Sequence, residues 1–446
     1  MIKNLKRRNV SFSPPDMTEA EVNEVCEAIL SGWITTGPRT KAFECIISEY
    51  CHRLTKMPIG HTTICLNSAT AAMEMVLYLL GITSEDEVIV PAYTYTATAS
   101  VTQHVGCKLV FVDSQNPSSH EFDDLCLEMD YDKLADAINE HTKLIVPVDL
   151  AGKVCDYDRI YRIVESKKAL FHPSNSLQER IGRIVVAADS AHAFGAKWHG
   201  KMAGAIADFS SFSFHAVKNL TTAEGGALVW NLPFGDEKVD LGIDGLDYFP
   251  MVPKEDGETW NDLLYRICQL LSLHGQSKDA LAKMHLGAWE YDVIGPWYKC
   301  NMTDIMSALG IAQFQRYPEM LARRKQMVDR MNESFERLDI SVLKHSGIDF
   351  CSTHHLYIAR LLGRTREEVN HVMELMAERG IATNVHYKPL PMMTAYKSLG
   401  FDIINYPQAY ELYHNEITLP LHTKMNDDDL EYVIENFIDI VKASNK

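Results

Sequence analysis

No stretch of the sequence approaches 18 consecutive apolar residues, the length a membrane-crossing helix needs, so no membrane partner is expected. Positive charge is scarce. Forty-three lysines and arginines face 60 aspartates and glutamates, and the formal net charge of −17 removes the footprint that sequence-independent capture of nucleic acid requires. A Cys-x-x-Cys pair is absent as well. The ten cysteines, scattered from Cys26 to Cys351 and mostly inside apolar runs, predict buried thiols in a reducing compartment, not a disulfide frame or a metal site. Met1 to Val10 is basic, but no apolar segment follows it, so a secretory signal is not expected and the protein reads as cytoplasmic. No internal repeat or low-complexity tract interrupts the chain.

What is present suits a folded, soluble body. With 46% hydrophobic and 23% charged residues, 446 residues are ample for a large core, and large α/β enzymes of this length often fold as one big domain plus an appendage. Thr18 and Glu21 form a T-x-x-E capping box, after which Val22, Val25, Cys26 and Ile29 recur at helical spacing until Ser31-Gly32. Short β-branched runs then alternate with helical stretches. Glu87–Val90, Leu109–Val112, Leu144–Val148, Ile184–Ala188, Phe209–Phe214 and Ala227–Trp230 read as strands, several of them apolar on both faces, which predicts a largely parallel sheet between helices. Lys167 to Glu179 reads as a surface loop, and Leu232 to Arg266 as an acidic, Gly- and Pro-bearing excursion from the sheet. Beyond Thr303 helical patterns run to about Leu338 with an interruption near Pro318. A smaller α+β region follows, with a strand at Leu356–Leu361 and helices at Arg366–Arg379 and Asp427–Ala443.

Four segments carry chemistry. In Val185-Val186-Ala187-Ala188-Asp189-Ser190-Ala191-His192 a carboxylate ends an apolar strand, where burial demands a cation or hydrogen-bond donors. In Phe209-Ser210-Ser211-Phe212-Ser213-Phe214-His215-Ala216-Val217-Lys218 an alternating strand delivers Ser213 and then Lys218 to a sheet edge, with Glu224-Gly225-Gly226 allowing a tight return. Asn67-Ser68-Ala69-Thr70-Ala71 opens an apolar helix whose free N–H groups suit a phosphate, and Tyr93-Thr94-Tyr95 after the Glu87 strand offers a ring to a flat ligand. Taken singly, Asp189 also fits a helix N-cap, Lys218 an exposed loop lysine and Tyr95 an ordinary core residue.

Together the four fit one template. The chain resembles the pyridoxal-phosphate-dependent sugar aminotransferases of the DegT/StrS group, within the fold-type I aspartate aminotransferase superfamily. The resemblance runs from Phe12-Ser13-Pro14-Pro15 and Gly32-Trp33-Ile34-Thr35-Thr36-Gly37-Pro38 to Tyr298-Lys299-Cys300-Asn301-Met302-Thr303-Asp304 and Val385-His386-Tyr387-Lys388-Pro389. It implies an α/β fold: a large domain over residues 1–317 with a mostly parallel seven-stranded sheet and an insertion at about 232–266, and a smaller C-terminal α+β domain over 318–446.

The resemblance also implies roles. Lys218 would form the Schiff base with the cofactor and shuttle the proton, Asp189 would face the pyridine nitrogen, and His192 the phenolic oxygen. Tyr95 would stack on the ring, while Thr70, Ala71 and Ser213 would bind the phosphate together with Asn301 from the neighbouring subunit of a homodimer. Thr35, His386 and Tyr387 are candidates for substrate contact. The implied reaction moves an amino group from an amino acid, glutamate, to a nucleotide-linked keto-sugar such as a 4-keto-6-deoxy sugar, by ping-pong kinetics. The acidic chain must then offset a doubly negative substrate locally, for which Arg39, Lys41, His386 and Lys388 are candidates.

Asp149 departs from the pattern, because many relatives carry a histidine there. A histidine in place of the Schiff-base lysine would mark sugar deoxygenation, against which Lys218 stands, and no cysteine lies near Lys218 to support persulfide chemistry. A cofactor-binding regulator without turnover would carry an added DNA-binding module, for which the single helix opened by Thr18 and the acidic charge give little support.

Overall fold

Alternation inside the strands decides the architecture. Val88, Val90, Leu144, Val185 and Ala187 belong to one buried cluster, whereas their neighbours Ile89, Ile145, Val186 and Ala188 belong to another. Each strand therefore packs a hydrophobic layer on both faces, which is why these runs are apolar throughout. The computed structural model describes residues 7–55, 61–116, 125–240, 249, 252, 255–277 and 290–443. In chain order its strands are β1 (Thr63–Leu66), β2 (Glu87–Pro91), β3 (Lys108–Val112), β4 (Thr142–Ile145), β5 (Val185–Asp189), β6 (Lys197–Trp198), β7 (Lys201–Met202), β8 (Phe209–Ser213), β9 (Gly226–Trp230), β10 (Ile340–Val342), β11 (Phe350–Cys351), β12 (Tyr357–Leu361) and β13 (Glu416–Leu419).

Seven strands form the main sheet in the order β1-β9-β8-β5-β4-β2-β3. The pairs from β8 through β3 are parallel, and only β9 runs antiparallel to its neighbours β8 and β1. The carboxyl ends of β2, β4, β5 and β8 thus point the same way, toward one edge where loops gather. A second cluster of helices and the β10-β12-β13 sheet forms a separate core from Met327 to Val441. Val10 joins this core through an isolated bridge to Ile381.

Several expectations need correcting. The helix beginning at Asp304 does not break near Pro318 but runs unbroken to Phe335. The proline removes one helical hydrogen bond, while the burial of Gln313, Tyr317 and Met320 around it holds the element together. The 167–179 stretch is not a loop: it holds a 3-10 turn at Lys168–Leu170 and the start of a helix at Ser176–Ile181. That helix is capped by Asn175 and anchored by Gln178, whose Nε2 donates to the Leu80 carbonyl at 2.7 Å. The 232–266 segment is no free excursion where it is described: Phe234, Val239, Phe249, Val252 and Trp260 join the core, and residues 241–248, 250, 251, 253 and 254 lie outside the described residues. Of the ten cysteines, Cys26 and Cys45 are exposed and only five are buried. The helix opened by Thr18 forms over Glu19–Leu30 with its capping box, yet its apolar stripe is not buried: Val22, Ile29 and Leu30 are 60%, 51% and 86% exposed.

Candidate active site

The sheet edge delivers the chemistry. Asp189 is the last residue of β5 and is buried. Its Oδ2 accepts from the Thr98 hydroxyl at 2.7 Å and its Oδ1 from the Ala191 N–H at 3.2 Å, while the Thr98 and Thr94 hydroxyls lie 2.9 Å apart. Burial pushes the Asp189 carboxyl upward, and the hydrogen bonds and the charge of Lys218 hold that rise in check. Lys218 sits beyond β8 in a turn closed by its N–H to the His215 carbonyl at 2.9 Å. Desolvation pushes its ammonium down to about 8, against the opposing pull of Asp189, and among the described residues the amine has no hydrogen-bond partner.

A helix start lies across the cavity. Ser68 caps the Ala69–Leu79 helix by accepting the Ala71 N–H at 3.1 Å, so that Ala71 is already engaged while the first N–H groups, of Ala69 and Thr70, remain. β9 crosses close against this start. A Cβ at Gly226 would fall 2.3 Å from the Ser68 carbonyl carbon and 2.4 Å from the Ala69 nitrogen, so the approach requires glycine.

His192 is held from behind. Its Nδ1 accepts the Ala151 N–H at 3.2 Å, and its carbonyl accepts the Thr353 hydroxyl at 2.5 Å. A nitrogen that accepts carries no proton, so the imidazole bears its hydrogen on Nε2; burial and the nearby Lys218 keep it neutral by pushing its pKa well below the usual range. The His355 ring lies tilted against it, with the centroids 4.3 Å apart, and donates Nδ1–H to Asn219 Oδ1 at 2.8 Å. Nothing in the sequence pattern pointed to His355. It arrives from the segment just before the distant strand β12, and the only local signal is the His354-His355 pair before an apolar run.

These groups border one cavity of 520 Å³, a size that suits a small organic ligand. Asp189, His192, Thr70, Tyr95, Ser213, Lys218, His386 and Tyr387 all line it, as do Phe12 and Asp149. Tyr95 is 58% exposed, with its ring 5.8 Å from that of Tyr387, and His386 stacks on Phe12 at 5.6 Å. Asp149 is buried and engaged by the protein: Ser190 Oγ at 2.7 Å, the Cys155 N–H at 3.0 Å and the Tyr157 hydroxyl at 3.2 Å all donate to it, while burial pushes its carboxyl up to about 7.

Three predicted residues lie elsewhere in this chain. Ala71 borders a neighbouring cavity of 230 Å³, Thr35 offers its carbonyl to the Asp304 N–H at 2.9 Å, and Asn301 donates to Thr36 Oγ1 at 2.5 Å. Of the four expected cations, His386 lines the cavity without a charge and the other three do not line it. Arg39 pairs with Glu24 at 2.9 Å, Lys41 donates to Tyr265 at 2.6 Å, Lys388 is exposed, and His386 is neutral because burial and Lys218 push it down to about 3.

Known proteins place this arrangement. The spore coat polysaccharide biosynthesis protein SpsC of Bacillus subtilis is 31% identical, with 99% of this chain and 100% of SpsC covered; the uncharacterised protein MJ1066 of Methanocaldococcus jannaschii is 33% identical, with 98% and 97% covered. Among solved structures, the PMP form of Spr1654 from Streptococcus pneumoniae, assigned as a sugar aminotransferase, superposes with a TM-score of 0.86 at 50% identity, covering 98% of this chain and 100% of that one. Its PLP form superposes at 0.85 and 48% identity over the same shares. The large, mostly parallel sheet is that of the fold-type I aminotransferases. With residues 15–438 matching the family's sequence pattern, the chain belongs to the DegT/DnrJ/EryC1/StrS aminotransferase family.

Proposed function

We propose that this aminotransferase uses pyridoxal phosphate to move an amino group from L-glutamate to a nucleotide-linked keto-sugar, such as a 4-keto-6-deoxy sugar, for the biosynthesis of an aminosugar-bearing surface glycan. The observation that carries the reading is the pairing of a desolvated Lys218 amine, without a hydrogen-bond partner among the described residues, with the buried Asp189 carboxyl on one cavity. The residues fit the cofactor: the Ala69 and Thr70 N–H groups with the Thr70 and Ser213 hydroxyls suit its phosphate, Asp189 its ring nitrogen, His192 Nε2–H its phenolic oxygen and Tyr95 its ring face. Bound there, pyridoxal phosphate supplies an electron sink for the bonds around the amino carbon.

The chain's own groups do the rest. Lys218, pushed down to about 8, carries a neutral fraction near physiological pH, so its Nζ would hold the cofactor at its aldehyde carbon with loss of water and, when free, would take and return the proton at the amino carbon. Thr98 and Ala191 donate to Asp189, which favours the anionic form that would face the cofactor's ring nitrogen. The match to SpsC and to Spr1654 supports a sugar as the acceptor.

The active unit is a homodimer on this reading, with Asn301 of the partner subunit reaching the phosphate. The exposed stripe of Val22, Ile29 and Leu30 supports a covered face, and Asn301 lies outside its own cavity.

The test is the absorption spectrum of the purified, cofactor-loaded protein before and after L-glutamate is added without sugar. Conversion of a visible band to a near-ultraviolet one establishes the first half-reaction, and regeneration by a panel of nucleotide keto-sugars then names the acceptor. A band that ignores glutamate rules out that donor, and no regeneration by any keto-sugar nucleotide removes the sugar assignment.

A further inference from the structure

The small C-terminal unit reaches the cavity through His386, and behind His386 lies a short buried chain of polar groups. Residues around Asn384 run beside β13, tied by Asn384 N–H to the Thr418 carbonyl at 3.0 Å and Thr418 N–H to the Asn384 carbonyl at 2.8 Å. His386 Nδ1 lies 3.0 Å from Thr418 Oγ1, and Thr418 Oγ1 lies 2.5 Å from Glu416 Oε1. The other carboxyl oxygen, Oε2, accepts the His386 backbone N–H at 3.1 Å. Glu416 and Thr418 are both fully buried, whereas the far side of the imidazole borders the cavity.

We propose that Glu416 is a positioning residue that acts through Thr418 to set which hydrogen-bonding face His386 Nε2 shows to a ligand in the cavity. Two arrangements fit the same heavy atoms. With Glu416 neutral, its Oε1–H donates to Thr418, the Thr418 hydroxyl donates to His386 Nδ1, and the imidazole hydrogen stands on Nε2 as a donor to the cavity. With Glu416 ionised, the direction reverses: His386 Nδ1–H donates to Thr418, Thr418 donates to Oε1, and Nε2 offers a bare lone pair. The two forms differ by one proton, which leaves from Nε2 into the cavity as the hydrogens along the chain each move one place. A carboxyl with no solvent exposure thereby titrates through the ligand site.

The surroundings favour the donor form near neutral pH. Burial pushes Glu416 up to about 8, and it stays there despite Arg366, whose Nη1 sits on the Glu416 carbonyl at 2.8 Å. Arg360, its cross-strand partner on β12, is turned to Asn415 at 2.8 Å and Glu411 at 2.7 Å, and the Tyr93 hydroxyl is engaged by the His386 carbonyl at 2.8 Å. Tyr387, Lys218, His192 and His355 are the other charged or titratable neighbours of the pair, the last two both being imidazoles that burial holds neutral. His386 itself stays neutral throughout, so the switch is one of tautomer and not of charge. The donor form suits a carboxylate or keto oxygen; the acceptor form suits only a hydroxyl or amine.

The experiment reads the tautomer directly and needs no sugar, so it fails separately from the proposed reaction, on which the inference rests only in taking this cavity as the ligand site. The cofactor-loaded protein is treated with diethyl pyrocarbonate, which acylates an imidazole nitrogen that bears a lone pair, and labelling at His386 is quantified by peptide mass spectrometry relative to the exposed His371. In the wild type His386 labelling is expected to rise roughly tenfold between about pH 7 and about pH 9, as one proton titrates midway. Glu416→Gln, whose amide can only donate toward Thr418 while its oxygen keeps the His386 N–H, should hold labelling low and flat; Thr418→Ser should behave as wild type, and Thr418→Val should abolish the rise. Labelling that stays flat in the wild type, or a rise that survives in both Glu416→Gln and Thr418→Val, overturns the proposal.

Discussion

Ala151 donates its backbone N–H to Nδ1 of His192 at 3.2 Å, and it does so from a left-handed conformation with φ of 57°. That unusual backbone is stabilised from both sides: the Ala151 carbonyl accepts the His355 N–H at 3.2 Å, and the Gly152 carbonyl accepts the Thr353 N–H at 3.2 Å. The Thr353–His355 segment before β12 thus helps fix the tautomer of a large-sheet histidine, presenting Nε2–H toward the cavity.

Gly152→Ala tests this arrangement. At φ +85° the added Cβ would fall 1.8 Å from Thr353 Oγ1 and 2.7 Å from the His192 carbonyl oxygen, so the turn must shift. Backbone strain alone costs about 1–3 kcal/mol. The variant should unfold at lower urea and lose turnover in larger proportion than stability; unchanged kinetics would show that the turn does not position His192.

Lys218→Ala should abolish turnover and the visible band of the bound cofactor, while thermal unfolding stays near wild type because a partly desolvated cation has been removed. Retained turnover in this variant would refute the assignment of the nucleophile.

The pH dependence of cofactor capture follows from the same lysine. Its conjugate acid is pushed down to about 8, so the neutral amine fraction climbs with pH and is half-maximal there. The rate at which cofactor-free protein captures pyridoxal phosphate should rise through about pH 8 and level off above it. A midpoint near the ordinary lysine value of about 10.4 would mean that the amine is solvated.

Thr98→Val removes the 2.7 Å donor to Asp189 Oδ2 with little change of shape. Hydrogen bonds to charged groups contribute about 1.5–3 kcal/mol, so the dissociation constant for pyridoxal phosphate, followed by fluorescence titration, should rise by about 10- to 100-fold. Because the carboxyl, already raised by burial, rises further, the loss should deepen as pH falls.

Asp304 makes a prediction about the fold. Fully buried, it accepts from Gly37 N–H at 2.7 Å, Arg39 N–H at 3.1 Å, Thr40 N–H at 2.9 Å and the Thr40 hydroxyl at 2.7 Å. Asp304→Ala strands these donors, at about 1–3 kcal/mol for each one buried, and should lower the unfolding free energy in urea by about 3 kcal/mol or more.

Local patterns carried well into the structure where the cause is local. The Thr18–Glu21 box caps a helix because both partners lie within one turn, and Asp189 ends β5 and Ser213 ends β8, with Lys218 in the turn beyond, because the runs before them span a sheet. Pro318 shows where a local rule yields: the surrounding burial outweighs one missing hydrogen bond. β1 and β13 carry no clear signal in the sequence, because four residues hold too little periodicity to separate a strand from a buried turn.

The sequence by itself therefore determined the layered α/β body and the residue that ends strand β5, since those depend on alternation along the chain, and the order of its motifs carries the family resemblance. Only the tertiary structure decided that His355 meets Asn219 and that Glu416 stands behind His386, and that Arg39 and Lys41 are engaged elsewhere. Those relationships join segments up to hundreds of residues apart. Which polar groups satisfy one another in a buried space is set by packing, because each unpaired group there is expensive and each partner is chosen by proximity and not by order in the chain.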